Sequence, residues 1–519
     1  KLKPGEKGDL FGSITIPSGL SHLCRLKELQ SLDLSESSVR GKGLACLGKL
    51  TKLRELNLLG VPMPDEGAHA LATIGSLRDL SLWGVNIYDD GIKSLSKLKG
   101  LRRLKIIASN MTSGGFKALC TLTGLRELDL TRTGLQSKSH VMDTSATYLK
   151  GLTKLRSLNL TETDINDSGV AVLGHMPSLE RLTLAKCDIS AKSLSVLTYF
   201  ENLTFLDLSG TKVDDGVMAS LSRLPLLRRL SLENSMITSL RTSKGATTVG
   251  KLVNLRHLDI SNNKVSSRIW SQVGAFTNLR TLRAVTLVND GSGLLTGLGA
   301  LRSLRQLRQL TLENVKINPG SYRALGDMIW LTSLSLSGSN LSGSDLRALR
   351  GLVHLVRLDL SYTEVDDASL AALAGCTVLA ELNLEKTGVA CTGFQFLKGL
   401  RSLERLNLAR TSCEGGGIAH LSKLTWLRHL SLKGTGIGDA QVKFLAFLTK
   451  LTNLNLTGTQ VTDKGLKKLT ALKRLIALDL SKTGISDKGL KQLRKLRSLT
   501  RLTIKNRSVE SDSDSEPGT

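Results

Sequence analysis

The first candidate for chemistry in this sequence is a glycine-containing segment with the spacing of a phosphate-binding loop. Residues 245–251 read GATTVGK, and in such loops the backbone amides and the lysine hold phosphate groups. However, Leu252 follows where a Ser or Thr hydroxyl would bind Mg²⁺, and no strand comes directly before the segment. We therefore expect neither a bound nucleotide nor any other cofactor.

Histidine and cysteine give no metal or redox motif. The eight His (22, 69, 140, 175, 257, 354, 420 and 429) show no ligand spacing. The cysteines are odd in number, scattered and without a CxxC pair, which disfavours a disulfide framework and a zinc site, and favours a reducing intracellular compartment. They are Cys24, Cys46, Cys120, Cys187, Cys376, Cys391 and Cys413. Ser and Asp recur throughout the chain, so no catalytic triad stands out, and we predict a protein that is not an enzyme.

A repeated leucine pattern organises nearly the whole chain. The pair Leu-x-Leu, or a close variant, occurs twenty times, and sixteen of the nineteen steps between copies are 24 residues long. Such a period predicts stacked, similar coils rather than several globular domains. The first leucines of the pairs are Leu32, 56, 80, 104, 128, 158, 182, 206, 230, 258, 282, 310, 334, 358, 382, 406, 430, 454, 478 and 502.

Each repeat contains the signals for a strand, a turn and a short helix, as residues 451–472 illustrate. Leu-x-Leu alternates with period two and predicts a strand with one buried face. A Thr follows at the turn in nine repeats, where its hydroxyl can bond backbone groups (133, 163, 211, 363, 387, 411, 435, 459 and 483). An Asp, as at Asp463, is then expected to cap the helix that follows it.

With these residues, the stretch from about 26 to 506 resembles the leucine-rich repeat superfamily, most closely its ribonuclease-inhibitor-like and cysteine-containing classes. The resemblance implies an α/β solenoid of about 20 coils, with a concave parallel β-sheet, convex short helices and partners bound on the concave face. Parallel crossovers make such a coil right-handed. Because helices need more room than strands, the array is expected to be curved or superhelical.

Interruptions and composition divide the chain further. We predict an N-terminal cap at 1–25, a first block of repeats at 26–238, irregular repeats with insertions at 239–309, a second block at 310–506 and an acidic, disordered tail at 507–519. The pattern breaks at 136–146, 239–250 and 284–301. These breaks are either tolerated insertions or contact sites.

Positive charge is placed by repeat position. The chain carries 71 Lys and Arg against 45 Asp and Glu, a net charge of +26. Arg recurs just before the strand at 54, 78, 102, 126, 156, 228, 256, 280, 308 and 428, and one position later at 103, 181, 229, 357, 405 and 501. Stacking predicts a basic stripe along one rim of the sheet. Three interpretations stay open: solvated arginines paired with nearby acids, an acidic protein partner, or RNA phosphates.

The sheet face itself is expected to be polar. Asp or Asn stands inside the Leu-x-Leu pair at 33, 57, 129, 159, 207, 259, 359, 383, 407, 455 and 479. Larger side chains beside it are candidate anchors for a partner. Together with the rim, the predicted partner-binding residues are Arg54, Arg78, Trp83, Arg102, Arg103, Ile107, Arg126, Arg156, Phe205 and Tyr362. We prefer the N-terminal third as the docking site.

These features predict a protein–protein interaction scaffold that binds a partner with an acidic surface through its concave face and basic rim, within a larger assembly. One alternative is an RNA-associated subunit of a ribonucleoprotein such as an organellar ribosome. A second is a substrate adaptor of a ubiquitin ligase. We expect no small-molecule substrate, since aromatic residues make up only 3% of the chain, and no membrane span, since no apolar run approaches eighteen residues.

Overall fold

The computed structural model describes residues 23–505, apart from 38, 40–43, 62–63, 84–86, 135–144, 242–251 and 290–292. The chain forms two compact units, Lys1–Asn263 and Lys264–Thr519. Several predicted features lie outside the described residues, namely most of the cap, the acidic tail, the GATTVGK segment and most of the insertions at 136–146 and 239–250.

The described part of the first unit contains ten short strands that pair in parallel, each with the next along the chain. The register places leucine beside leucine, as with Leu32 and Leu56. The strands are Ser31–Asp33, Glu55–Leu59, Asp79–Trp83, Arg103–Ile107, Glu127–Asp129, Ser157–Asn159, Arg181–Thr183, Phe205–Asp207, Arg229–Ser231 and His257–Asp259.

Short helices return the chain from one strand of the first unit to the next. The α-helices are Asp65–Leu71, Asp89–Leu95, Ser113–Leu119, Asp167–Ala171 and Met218–Leu221. The 3₁₀ helices are Ala45–Lys49, Ala146–Gly151, Leu173–His175, Ser193–Tyr199 and Asp215–Val217. These helices are three to seven residues long. That is too short for stability in isolation, so packing against the sheet and the neighbouring coils must maintain them.

The second unit repeats the arrangement. Its described part contains ten strands that pair in parallel, namely Thr281–Arg283, Gln309–Thr311, Ser333–Ser335, Arg357–Asp359, Glu381–Asn383, Arg405–Asn407, His429–Ser431, Asn453–Asn455, Ala477–Asp479 and Arg501–Thr503. Two further strands, Lys264–Val265 and Val288–Asn289, pair with each other, so part of the predicted break at 284–301 is a second, small sheet.

The helices of the second unit are also short. The α-helices are Ile269–Val273, Pro319–Gly326, Gly343–Leu346, Asp439–Leu445, Asp463–Leu469 and Asp487–Gln492. The 3₁₀ helices are Leu298–Ser303, Arg347–Leu349, Ala368–Leu373, Thr392–Gly399, Gly415–Lys423 and Leu493–Lys495. The predicted α/β coil of strand, turn and short helix is confirmed in both units.

Leucine fills the space between sheet and helices. Both leucines of a strand pair point inward, as Leu454 and Leu456 do with exposed fractions of 2% and 0%. Full burial of such a side chain contributes about 1.5–3 kcal/mol relative to exposure. Because the same positions are buried in most coils, the core of each unit is a row of aliphatic side chains rather than a cavity lined by diverse side chains. In the last described coil, Leu502 is an exception and is exposed.

The turn after each strand has the polar contacts that the sequence predicts. Thr363 Oγ1 donates to the carbonyl of Leu360 at 2.6 Å, and seven other predicted threonines make the same bond. Thr133 is the exception, since its hydroxyl donates to Ile106 in the previous coil at 3.2 Å. These buried hydroxyls satisfy carbonyls that the strand leaves unpaired.

One turn position has the left-handed backbone conformation in every coil where it is described. It is the fourth residue after the first leucine of the pair, and its φ lies between 48° and 76° in all eighteen cases. Glycine occupies it in some coils, as at Gly458, but Ala108, Tyr362 and Lys482 do so in others. The left-handed conformation is less favourable for a residue with a Cβ atom than for glycine.

The prediction that the repeat Asp caps its own helix is wrong. In the helix Asp463–Leu469 the cap is Thr462, whose hydroxyl accepts from the backbone N–H of Lys464. Asp463 instead bonds the next coil, where it accepts the backbone N–H of Ser486 at 2.9 Å. The same relationship joins Asp65 to Tyr88. The acidic side chain therefore connects successive coils.

The expectation that the cysteines form no disulfides is also wrong. Cys24 is bonded to Cys46 and Cys391 to Cys413, with Cα atoms 5.8 and 5.1 Å apart. In both pairs the sequence separation is 22 residues, close to one repeat, so neighbouring coils bring the two thiols together. A reducing compartment stays a prediction, without support from cysteine spacing.

Candidate ligand-binding surfaces

The arginines that precede the strands of the first unit lie along one rim of its sheet. Backbone pairing fixes this alignment, because the N–H of Arg78 donates to the carbonyl of Arg54 at 2.8 Å, and that of Arg102 to Arg78 at 2.7 Å. The same bond continues through Arg126 and Arg156. Each arginine is therefore positioned by the strand ladder, while its side chain is exposed.

A groove of about 610 Å³ follows this rim. Six arginines and three acids contribute to its lining, so its net charge is positive. The arginines are Arg78, Arg102, Arg103, Arg126, Arg156 and Arg181, and the acids are Asp79, Glu127 and Glu180. The structure thus brings together five of the predicted site residues in one groove, and the backbone places Arg54 beside them.

Acids neutralise the groove only in part. Arg103 binds Asp79, with Nη2 2.5 Å from Oδ2, and Arg156 pairs with Glu180 at 3.3 Å. Partial burial raises the pKa of Asp79, although the neighbouring Arg103 opposes this effect.

Four further arginines of this rim differ from Arg103 and Arg156. Within the described part of the chain, Arg54, Arg78, Arg102 and Arg126 form no ion pair. Arg78 and Arg102 donate instead to backbone carbonyls, which are uncharged. We call these four residues the arginine rim.

The predicted anchor side chains are distributed over both units. Ile107 ends a strand of the first unit and is half-buried, whereas the side chain of Trp83 lies outside the described part. Phe205 is half-buried, and the Arg181 guanidinium lies 4.1 Å from its ring centre. Since Arg181 also lines the rim groove, Phe205 belongs to the same surface.

Tyr362 belongs to the second unit, so it does not join the arginine groove of the first. It is 45% exposed and stands at the left-handed turn position. Its hydroxyl donates to Glu385 at 3.4 Å and accepts from Arg410 at 3.5 Å.

The Asp and Asn residues inside the strands have a structural role that sequence reasoning missed. Asp129 Oδ1 accepts the backbone N–H of Thr131 at 3.1 Å, and the turn after the strand is held by this bond. All eleven predicted positions make the equivalent contact. One oxygen of each of these side chains is thus hydrogen-bonded within the turn. The rim arginines are therefore more available than these side chains for binding a ligand.

A second groove, of about 680 Å³, crosses the sheet of the second unit. It carries Arg357, Glu381, Arg405 and His429 from successive strands, and Arg405 pairs with Glu381 at 3.2 Å. Burial and the nearby guanidinium of Arg405 lower the pKa of His429, Arg428 adds a smaller effect in the same direction, and Glu404 and Glu381 oppose it. Sequence reasoning missed this groove because it favoured the N-terminal third.

The described residues contain no cluster of three or more His, Cys, Asp or Glu that could hold a metal ion. Among the helices in that part of the chain, none has the length and apolar composition needed to cross a bilayer. Both grooves present charged side chains from successive strands.

Family models match along both units. A leucine-rich repeat region matches residues 69–248, and leucine-rich repeats match 254–276, 351–374, 423–446, 447–469 and 475–493, together more than half of the chain. With the parallel strand ladders and short helices, these matches show that the chain belongs to the leucine-rich repeat superfamily. A comparison with curated protein sequences finds no match.

Three solved structures that share this fold are distant from the chain in sequence. Mouse RP105, in its complex with MD-1, is 17% identical, with a TM-score of 0.63 over 95% of this chain and 84% of that chain. TLR13 in a complex with ssRNA13 is 20% identical, with a TM-score of 0.58 over 88% and 70%. A leucine-rich repeat protein of Leptospira interrogans, LIC12759, is 19% identical, with a TM-score of 0.51 over 79% and 91%. At these identities the similarity concerns the fold alone.

Proposed function

We propose that this leucine-rich repeat chain is a non-enzymatic scaffold that binds an acidic polypeptide through the sheet face and arginine rim of its first unit, within a larger assembly. The observation that carries the proposal is the absence of ion pairs for Arg54, Arg78, Arg102 and Arg126 in the described part of the chain. Neighbouring cations repel each other, and a ligand with several carboxylates would remove that repulsion.

The neighbourhood of the rim favours a polypeptide over a phosphate backbone. Carboxylates such as Asp79, Glu127 and Glu180 share the groove with the arginines. They would repel a continuous polyanion, whereas a polypeptide can place acidic side chains against arginines and basic or polar ones against acids. Phe205 adds a partly apolar contact under Arg181.

The experiment replaces Arg54, Arg78, Arg102 and Arg126 with Gln. The side chains keep hydrogen-bonding groups, the leucine core is unchanged and exposed charges contribute little to stability, so the variant should fold. Proteins that copurify from the native source are compared for wild type and variant, with and without ribonuclease, and the affinity of each identified partner is then measured against salt concentration. The proposal expects partners that survive ribonuclease, weaken with salt and are lost from the variant.

A matched control removes the same number of charges elsewhere, by replacing Lys464, Lys467, Lys488 and Lys491 of the second unit with Gln. This control should keep the partner. If the rim variant binds as tightly as wild type, the arginines are solvated surface and the proposal fails. If all partners disappear on ribonuclease treatment, an RNA-associated role replaces it.

A further inference from the structure

The largest concentration of positive charge lies in the last coils of the second unit. Residues 461–505 contain thirteen Lys and Arg against three Asp, and no aromatic residue. Six exposed lysines lie on the helices Asp463–Leu469, Asp487–Gln492 and Leu493–Lys495. We call them the cationic helix face: Lys464, Lys467, Lys468, Lys488, Lys491 and Lys495.

The repeat stacks these lysines into rows. Lys464 and Lys488 are one 24-residue repeat apart, as are Lys467 and Lys491. The helices that carry them pack against each other, so equivalent positions are neighbours on the surface. The face therefore presents a two-dimensional array of ammonium groups on the side of the coils that is opposite to the strands.

Two of the three acids of these coils bond backbone or hydroxyl groups rather than the lysines. Asp463 accepts from the backbone and hydroxyl of Ser486, and Asp479 accepts the backbone N–H of Ser481 at 3.0 Å. None of the six lysines forms an ion pair within the part of the chain that the structure describes. Lysines elsewhere do, as Lys186 does with Glu162 at 2.6 Å.

The side chains around the cationic helix face indicate which class of polyanion it could bind. Two large apolar side chains of residues 461–505 are markedly exposed, Ile476 and Leu502, and both belong to the strand side of their coils rather than to the helices. A bilayer surface would thus gain no inserted apolar groups from the helices. With no aromatic residue in 461–505 to stack on bases, a flexible single strand would lack its usual contacts.

We propose that the cationic helix face binds the phosphate backbone of a double-helical nucleic acid, without reading its sequence. Lysine ammonium groups suit this role, because each is a mobile point charge that can reach a phosphate oxygen. The proposal does not depend on the arginine rim of the first unit.

The test measures fluorescence anisotropy with a labelled RNA duplex of about 20 base pairs and mixed sequence. The binding variant changes Lys464, Lys467, Lys488 and Lys491 to Gln. At about 0.15 M salt, it should weaken duplex binding at least about tenfold and lower the slope of log K against log salt by about 0.9 per contact removed. A second variant with Arg at the same four positions should keep the affinity.

The control changes Lys49, Lys97, Lys154 and Lys192, four exposed lysines of the first unit, to Gln. It removes the same net charge and should leave duplex affinity within about twofold. Circular dichroism checks that each variant is folded. Equal losses in both Gln variants would attribute binding to net charge and overturn the proposal. So would tighter wild-type binding to phosphatidylserine vesicles or to a polyglutamate peptide than to the duplex.

Discussion

Asp439 Oδ1 accepts the backbone N–H of Gly465 at 2.9 Å, although the two residues are 26 positions apart. The same carboxylate accepts the backbone N–H and the hydroxyl of Thr462, at 2.8 and 2.5 Å. It therefore binds both Thr462, the cap of the helix in the following coil, and an N–H in the first turn of that helix. A Cβ at Gly465 would collide with Asp439 Oδ1, and this contact explains why Asp and Gly recur together in the repeat.

Replacing Asp439 with Ala should lower the free energy of unfolding by about 2–3 kcal/mol, because three donors lose a charged acceptor. Gly465→Ala should cost about 1–3 kcal/mol through overpacking. The double variant should be less destabilised than the sum, because the oxygen that collides with the new Cβ is gone. Chemical denaturation of the four proteins measures this coupling.

Gly399→Ala is the control for that cycle, since the nearest atom to its Cβ would be the Ala374 carbonyl oxygen at 4.0 Å. It should be neutral or slightly stabilising. Strict additivity of the Asp439 and Gly465 changes would refute a direct contact between them.

The left-handed turn position gives a prediction in two directions. Gly458→Ala should destabilise by about 1 kcal/mol through backbone strain alone, because the nearest atom to a new Cβ is Gly434 Cα at 3.9 Å. Lys482→Gly should stabilise by about 0.5 kcal/mol, because φ is 56° there. Thermal unfolding measures both, and a loss of stability in Lys482→Gly would contradict the explanation.

Leu456→Ala should lower the free energy of unfolding by about 2–5 kcal/mol, because it leaves a cavity between coils where the side chain is fully buried. Each coil contacts mainly its neighbours, so hydrogen-exchange protection should fall first around residues 430–480. Leu502→Ala, at a side chain that is 42% exposed, should cost far less. A uniform loss of protection in all repeats would argue against local coupling.

The three unpaired cysteines should be inert in the folded protein. Burial raises the pKa of Cys120 to about 12, and that of Cys187 and Cys376 to about 11, so little thiolate exists near neutral pH. Under non-reducing conditions, native protein should show no reaction with a thiol reagent, and unfolded protein should show three thiols. Peptide mapping should recover the Cys24–Cys46 and Cys391–Cys413 links; seven reactive thiols after unfolding would instead favour a reduced protein.

His429 should stay neutral at a lower pH than an ordinary histidine, because burial and the charges of Arg405 and Arg428 disfavour the imidazolium ion. In the unfolded chain its pKa returns to about 6.5. The unfolded state then binds the proton first, so this residue makes the fold less stable as pH falls below about 6.5. NMR titration should show that Arg405→Gln raises the pKa of His429, and an unchanged value would exclude the charge contribution.

The candidate surfaces were only partly predictable. Arg78, Arg102 and Arg126 share one repeat position, so the sequence was sufficient to place them in a row. It could not show that Arg103 would be paired with Asp79 while those three have no acidic partner among the described residues, because the pairing depends on side-chain conformations across coils. The ion pairs in the groove of the second unit likewise depend on side-chain conformations across coils.

The sequence by itself determined the coil. Its Leu-x-Leu period decides which side chains are buried, and a Thr such as Thr363 needs only the carbonyl three residues earlier to complete the turn. Contacts between coils were decided by the tertiary structure, as with Asp439 on Gly465 and Cys391 on Cys413. The physical reason is the separation of the partners along the chain. The local period decides whether a side chain points into the core or away from it. Two residues more than twenty positions apart come into contact only when the coils stack, and the stacking sets the distance between them.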